Sequence, residues 1–323
     1  MSDDRSDDIT RREALKRTAV FAAAAGLVAC DRAPVAAATP DPKPQETPMK
    51  ASARMPTIFL PHGGGPWPFT SEPIFGNGTS WTRMEAYMRG LGMIAPTRPS
   101  AVLVISAHWE ATVPTLMTSK APPMLYDYSG FPPETYEVKW PAPGAPELAA
   151  TIEQMLSDAG IPTSTDARRG FDHGTFVPLK LAFPEADLPT LQLSLKRGFD
   201  PAEHLAIGRA LEPLRDRGVL MVGSGMSYHN MRAFGRLMRG DLTARAESKA
   251  FDEWLAGLGA LDADARHGAL LDWERAPSAR ACHPREEHLL PLHVMAGAAG
   301  DDPVSSPYRD IILGAHVSAL HFG

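Results

Sequence analysis

An α/β fold, in which a single domain is built on a central, mainly parallel sheet flanked by helices, is what this sequence predicts. Three observations carry that expectation. Short apolar runs of strand character recur at Thr57–Leu60, Ala101–Ser106, Thr190–Leu195, Val219–Gly223 and Ala315–Phe322. Segments with the helical spacing of apolar residues lie between them, at Pro146–Ala159, Pro201–Asp216 and Thr243–Leu258. No internal repeat and no linker-like stretch divides residues 55–323, so they form one domain. Strands alternating with helices of roughly 10–15 residues pack as a parallel sheet with helices on its faces.

The 323 residues are 44% hydrophobic and 22% charged, ordinary material for a globular chain. A net charge of -6 argues against nucleic acid as a partner. Two cysteines, Cys30 and Cys282, exclude a disulfide framework and a cysteine-built zinc module. The eleven histidines are the more informative inventory.

The elements follow in chain order. Residues 1–30 have the pattern of an export signal: Thr10-Arg11-Arg12-Glu13-Ala14-Leu15-Lys16 resembles a twin-arginine motif, and an uncharged run from Thr18 to Ala29 follows it. That run is too short for a bilayer, which needs ~20 helical residues. Its end, Leu27-Val28-Ala29-Cys30, resembles a lipobox, which would make Cys30 the site of lipidation and the mature N-terminus. The alternative is cleavage after the Ala36-Ala37-Ala38 run. The expectation is an exported, periplasmic protein handled by the twin-arginine machinery and tethered to the inner membrane by lipid alone. Residues 31–54, rich in Pro, Ala and polar residues, are expected to be a disordered spacer.

In the domain itself, His62, His108 and His229 each lie just past a strand-like run. Open α/β sheets bind ligands beyond the carboxyl ends of their strands, so these three suggest a shared site. Phe171-Asp172-His173-Gly174 suits a loop that presents an imidazole. His283-Pro284-Arg285-Glu286-Glu287-His288 has the proline and acids of a helix start, which would put His288 in a first helical turn near the same end of the sheet. His293 would then lie about 140° round that helix and off its face. It joins His204, His267, His316 and His321 as a structural residue.

The run Pro61-His62-Gly63-Gly64-Gly65-Pro66 poses its own question. A phosphate cradle is disfavoured, because the spacing fits neither the P-loop nor the dinucleotide fingerprint and Pro66 removes an amide donor. An oxyanion hole of the esterase type needs a G-x-S-x-G elbow, and Val222-Gly223-Ser224-Gly225 lacks that order. The glycines then serve as clearance around His62.

Five segments, "LPHGGGP", "VLVISAHWE", "GFDHGTFVPLK", "GSGMSYHNMR" and "HPREEHLLPLHVMAGAAG", resemble in order the signatures of the class III extradiol ring-cleavage dioxygenases. The subgroup is the DOPA 4,5-dioxygenase-like proteins. The resemblance runs from Met55 to Gly323 and leaves out the N-terminal extension, which the cytoplasmic relatives lack.

The resemblance implies a metal site at the carboxyl ends of the strands. His62 and His108 match metal ligands, and His288 takes the third ligand place, where more distant members have a glutamate. His229 matches the acid/base histidine and in some relatives is itself a zinc ligand, while His173 matches a histidine of substrate binding and proton transfer. Glu287, beside His288, is an alternative ligand. One divalent ion per chain is implied, Fe(II) for ring cleavage or Zn(II), with a small catechol-type, DOPA-like aromatic diol and O2 as substrates. Trp67, Trp109, Phe171 and Tyr228 each neighbour a site histidine and are expected to wall the substrate. The Pro- and Tyr-rich segment Ala121–Gly144 is expected to be a lid or wall, or else a packed surface loop. The competing functional classes are a zinc hydrolase on the same scaffold and a periplasmic metal- or ligand-binding protein without catalysis.

Overall fold

The computed structural model describes residues 54–70 and 81–323. The expected signal (1–30), the lipidation site Cys30 and all of the expected spacer except Arg54 lie outside the described residues. Arg54 itself is anchored, donating to Glu212 at 2.6 Å and to Asp216 at 3.1 Å.

The chain opens on strand β1 (Thr57–Pro61), helix α1 (Thr82–Gly90), β2 (Ala101–Ala111) and β3 (Thr115–Met117). It continues through α2 (Pro146–Asp158), β4 (Ser164–Asp166), α3 (His173–Ala182), β5 (Thr190–Lys196), α4 (Pro201–Leu211) and β6 (Val219–Gly225). Helices α5 (Met231–Met238), α6 (Leu242–Gly257), α7 (Ala263–Leu271), α8 (Ala279–Cys282) and α9 (Leu290–Ala299) precede the closing hairpin of β7 (Val304–Ile312) and β8 (Ala315–Phe322). The strands form one sheet in the order β4-β3-β5-β2-β6-β1-β8-β7.

The four central strands, β5, β2, β6 and β1, pair in parallel. β8 joins β1 antiparallel, and β3 joins β5 antiparallel. β1 and β6 are buried at every position, as near-continuous Val, Leu, Ile and Met runs require when helices cover both faces. β7 alternates buried and exposed residues, the pattern of an edge strand with one wet face. Asp200, Asp241 and Asp262 cap α4, α6 and α7 by accepting from backbone N–H groups of the first turn. Among the described residues no helix is long and apolar enough to cross a membrane.

The helix expected to begin at Pro284 begins at Leu290 instead. Pro291 explains the shift: it lacks an N–H and suits the first turn of a helix, whereas seven residues inside one it would break the ladder. His288 therefore stands in the turn that leads into α9. His173 moves the other way, from an expected loop to the first residue of α3.

Candidate metal centre

Each histidine reaches the carboxyl end of the sheet by a different local device. His62 directly follows β1, its N–H donating to the Gly225 carbonyl at 3.0 Å. The turn after it needs positive φ at Gly63 (86°) and Gly65 (55°), and a Cβ on Gly65 would stand 2.8 Å from the Phe131 ring. Gly65 thus leaves clearance for Phe131, Gly63 serves the turn through its φ, and Gly64 has room for a side chain.

His108 lies inside β2 rather than past it. β2 pairs with β6 only to Ser106, and its register with β5 jumps from Ile105↔Leu193 to Glu110↔Leu195. The extra residues form a bulge, which re-aims the His108 side chain. His173 is carried by α3, next to Asp172, a fully buried carboxylate that accepts from Ser106 (2.8 Å), Arg169 (2.7 Å) and Gln192 (2.7 Å). His229 follows β6, its N–H held by the Cys282 carbonyl at 3.0 Å. The His288 turn presses on β6 so closely that a Cβ on Gly225 would meet the His288 carbonyl oxygen at 2.1 Å.

The five imidazoles form one cluster. Ring centroids stand 4.8 Å apart for His62 and His108, 5.2 Å for His62 and His288, 4.9 Å for His108 and His288 and 4.0 Å for His108 and His173. His229 stacks on His288 at 3.3 Å. Two donor sets have all their ligand atoms within 4.8 Å of one another: His62, His108 and His173, and His229, Glu287 and His288.

Hydrogen bonding decides which nitrogens are free. The Gly174 carbonyl would ordinarily accept from residue 178, but that is Pro178, which has no N–H. Ser224 donates its only hydrogen to Gly174 O. Its Oγ, 3.0 Å from His62 Nδ1, is therefore left to accept, which places the His62 hydrogen on Nδ1 and a lone pair on Nε2. Ser224 is thus no nucleophile; it is wholly buried and its hydrogen is committed.

Carboxylates do the same elsewhere. Glu287 Oε1 accepts from His288 Nδ1 at 2.9 Å and lies 3.1 Å from His229 Nδ1, leaving the Nε2 atoms to carry the lone pairs. Asp127 Oδ1 takes both the backbone N–H (2.9 Å) and Nδ1 (2.8 Å) of His173, and Asp127 Oδ2 lies 3.5 Å from His108 Nδ1.

Burial, reinforced by the neighbouring imidazoles, pushes His62 and His288 well below the usual histidine pKa. Burial and then His173 push His108 down to about 4. Burial draws Asp127 upward, but the His173 hydrogen bond and the charges of His173 and His108 outweigh it and hold the carboxyl at about 2. Burial likewise opposes, and the His229 hydrogen bond prevails, in keeping Glu287 low.

These residues fit a divalent cation. A metal needs neutral imidazoles with convergent lone pairs, and His62 Nε2 and His108 Nε2 face each other at 3.0 Å. Each ligand candidate has its other nitrogen turned toward a hydroxyl or carboxylate, the outer partner that metal-binding histidines use. Glu287 Oε2 makes no hydrogen bond among the described residues, so the carboxylate remains a further donor.

An apolar cleft of about 310 Å³ opens onto all five histidines. Its walls are not those expected from sequence neighbours. Phe171 is buried against Trp140 and Tyr228 against Phe234, and neither lines the cleft. Trp67 stacks on Trp81 at 5.0 Å and it is Trp81 that faces the cleft. Trp109 lines a second, polar concavity of about 390 Å³, which shares only His108 and His288 with the cleft.

The segment Ala121–Gly144 is a wall. It supplies Tyr128 and Phe131 to the cleft and Asp127 to His173. Asp127, Ser224, Tyr128, Phe131 and Phe234 carry no sequence signal that marks them as site residues, beyond the aromatic density of 121–144. Four of the five histidines set aside as structural have ring hydrogen bonds elsewhere: His204 to Lys196 N–H, His267 to Ala296 O, His293 to Leu270 O and His321 to Tyr87.

Comparison with known proteins follows the same line. Residues 79–319 match the family described as "Catalytic LigB subunit of aromatic ring-opening dioxygenase". The chain is 38% identical to "Dioxygenase tasH" of Hapsidospora irregularis, covering 84% of this chain and 88% of the relative. It is 41% identical to "4,5-DOPA dioxygenase extradiol" of Beta vulgaris, over 64% of this chain and 75% of that protein. Among solved structures, an uncharacterized protein of Escherichia coli K12, JW3007, superposes with a TM-score of 0.61 at 28% identity, covering 84% of this chain and 100% of that one. The chain belongs to the LigB family, that of the catalytic subunit of aromatic ring-opening dioxygenase.

Proposed function

We propose that this protein is an extradiol dioxygenase that opens the ring of a catechol-type aromatic with O2, using one divalent metal ion held by His62, His108 and His288. The observation that carries the proposal is the convergence of five imidazoles on one apolar cleft, with the Nε2 atoms of His62, His229 and His288 freed by Ser224 and Glu287. The printed activities of the relatives support it. When bound, Fe(II) would supply a centre that gathers the catechol oxygens and dioxygen and passes electron density from ring to oxygen.

The chain's own residues do the rest. His229 Nε2 takes a proton from the catechol, and Glu287, 3.1 Å from Nδ1, balances the charge that the ring then carries. His173, its ring fixed by Asp127 through Nδ1, would pass a proton to the reacting oxygen. Phe131, Trp81 and Phe234 hold the flat substrate and keep water away.

Anaerobic reconstitution with Fe(II), followed by a catechol panel in air, should give oxygen uptake and a yellow muconic semialdehyde-type product. Zinc-loaded protein should bind catechols and consume no oxygen, because zinc has no redox chemistry. Absence of turnover across the panel, with iron confirmed by metal analysis, would refute the proposal. For localisation, the leader residues support an exported protein tethered through lipidated Cys30.

A further inference from the structure

We infer that the substrate is an uncharged catechol with an apolar substituent, rather than one bearing an amino-acid or acid side chain. This rests on the ring-cleavage proposal and narrows it. Beyond the histidines and the backbone of Gly63, Gly64 and Gly65, the cleft presents Trp81, Phe131, Met226, Met231, Phe234 and Leu313. Tyr128, which also lines it, gives its hydroxyl hydrogen to the Thr135 carbonyl at 2.6 Å. Among the described residues no Lys, Arg, Asp or Glu lines this cleft.

The nearest charges are committed elsewhere. Asp127 and Glu287 orient imidazoles and would repel an acid. Arg169 is held by Asp172 (2.7 Å) and lies over Trp109, and Arg285 is held by Glu110 (2.5 Å); both face the second concavity. Arg232, one residue beyond Met231, is exposed and does not line the cleft. The stretch Ser71–Ser80, outside the described residues, contains neither lysine nor arginine.

A cleft of about 310 Å³ is at the lower end of those that bury a whole small ligand, so it takes the ring and a substituent together. A carboxylate carried into it would lose water and meet no Lys or Arg side chain in return. An apolar pocket rejects even an added hydroxyl by about 100-fold, and a full charge fares no better.

The test is anaerobic calorimetry on zinc-loaded protein with 4-methylcatechol, 4-tert-butylcatechol, 3,4-dihydroxyphenylacetate and L-DOPA. The two neutral catechols should bind at least about 100-fold more tightly than the two charged ones. Met231→Arg, at an exposed position on the rim, should raise the affinity for 3,4-dihydroxyphenylacetate relative to 4-methylcatechol by about 10-fold or more, through a new charge-assisted hydrogen bond. Equal or tighter binding of the charged pair by the unmodified protein overturns the inference, as does an unchanged ratio in Met231→Arg. Neutral catechols that bind selectively but are not cleaved by the iron form would sink ring cleavage and leave this inference standing. Charged catechols that bind best and are cleaved would do the reverse, and failure of every catechol to bind overturns both.

Discussion

Replacing Ser224 by alanine should weaken metal binding at a residue that no metal would touch. The hydroxyl accepts from His62 Nδ1 at 3.0 Å and donates to Gly174 O, with Ser224 fully buried. Its loss strands one buried donor and one buried acceptor, a cost of about 2–4 kcal/mol to the metal-free fold at ~1–2 kcal/mol each. It also frees His62 to carry its hydrogen on Nε2, where it blocks the metal; loss of such outer partners typically costs ~10–100-fold in affinity. Denaturant unfolding of chelator-treated protein measures the first effect, and zinc competition against a chromophoric chelator measures the second. Pro178→Ala separates them. It restores an N–H for the Gly174 carbonyl, which lets the Ser224 hydroxyl turn toward His62 Nδ1 and favours the wrong tautomer with little loss of packing. Affinity within about twofold of the unmodified protein in both variants would refute the tautomer relay.

Further predictions follow from the same structure. Gly225→Ala sets a Cβ against the His288 carbonyl oxygen at 2.1 Å, so it should displace the turn that carries Glu287 and His288; zinc titration should show affinity lost by at least ~100-fold. Buried His293 and His283, pushed by burial to about 4 and about 3, are depressed histidines that the unfolded chain protonates first. Stability should therefore be full above the unfolded pKa near 6.5 and fall as pH drops toward 4, by about 2 kcal/mol per histidine between pH 7.5 and 5 in chelator-treated protein. His293→Gln should remove about half of that loss, and a pH-flat unfolding curve for the parent would contradict it. For the leader, Arg11→Lys with Arg12→Lys should block export, and Cys30→Ser should release the protein from membranes on fractionation. Continued attachment of the serine variant would rule out a lipid anchor at Cys30.

Much of the sheet was legible because burial on both faces forces long apolar runs, and β1, β2, β5, β6 and β8 have them. β3 and β4 are three residues each, too short to show a period, and β7 alternates Ser, Tyr, Arg and Asp like a surface segment. His62 and His229 were legible as site candidates because each follows a strand, and His108 because it comes late in one; His173 opens α3 and His288 stands in the turn before α9. Asp127, Ser224 and the aromatic walls were not, because their roles depend on neighbours brought in from other segments. Trp109, Phe171 and Tyr228 show the converse error: adjacency in sequence to a histidine says nothing about which face a ring occupies. His288 was placed near the right end of the sheet for an incomplete reason, since Pro284 and its acids imitate a helix start that Pro291 supplies.

The relay that prepares His62 has a consequence for how the protein matures. It joins residues 162 positions apart (His62 and Ser224) and 50 apart (Gly174 and Ser224), and His62 meets His108 across 46. No contiguous stretch of chain holds the complete set, so an ion gives no head start to a partly folded intermediate. At the proposed metal site, capture would come after β1, β2, β6 and the turn before α9 are side by side. Loading would thus be an inspection of the finished sheet rather than a scaffold for building it, and truncated chains should emerge metal-free.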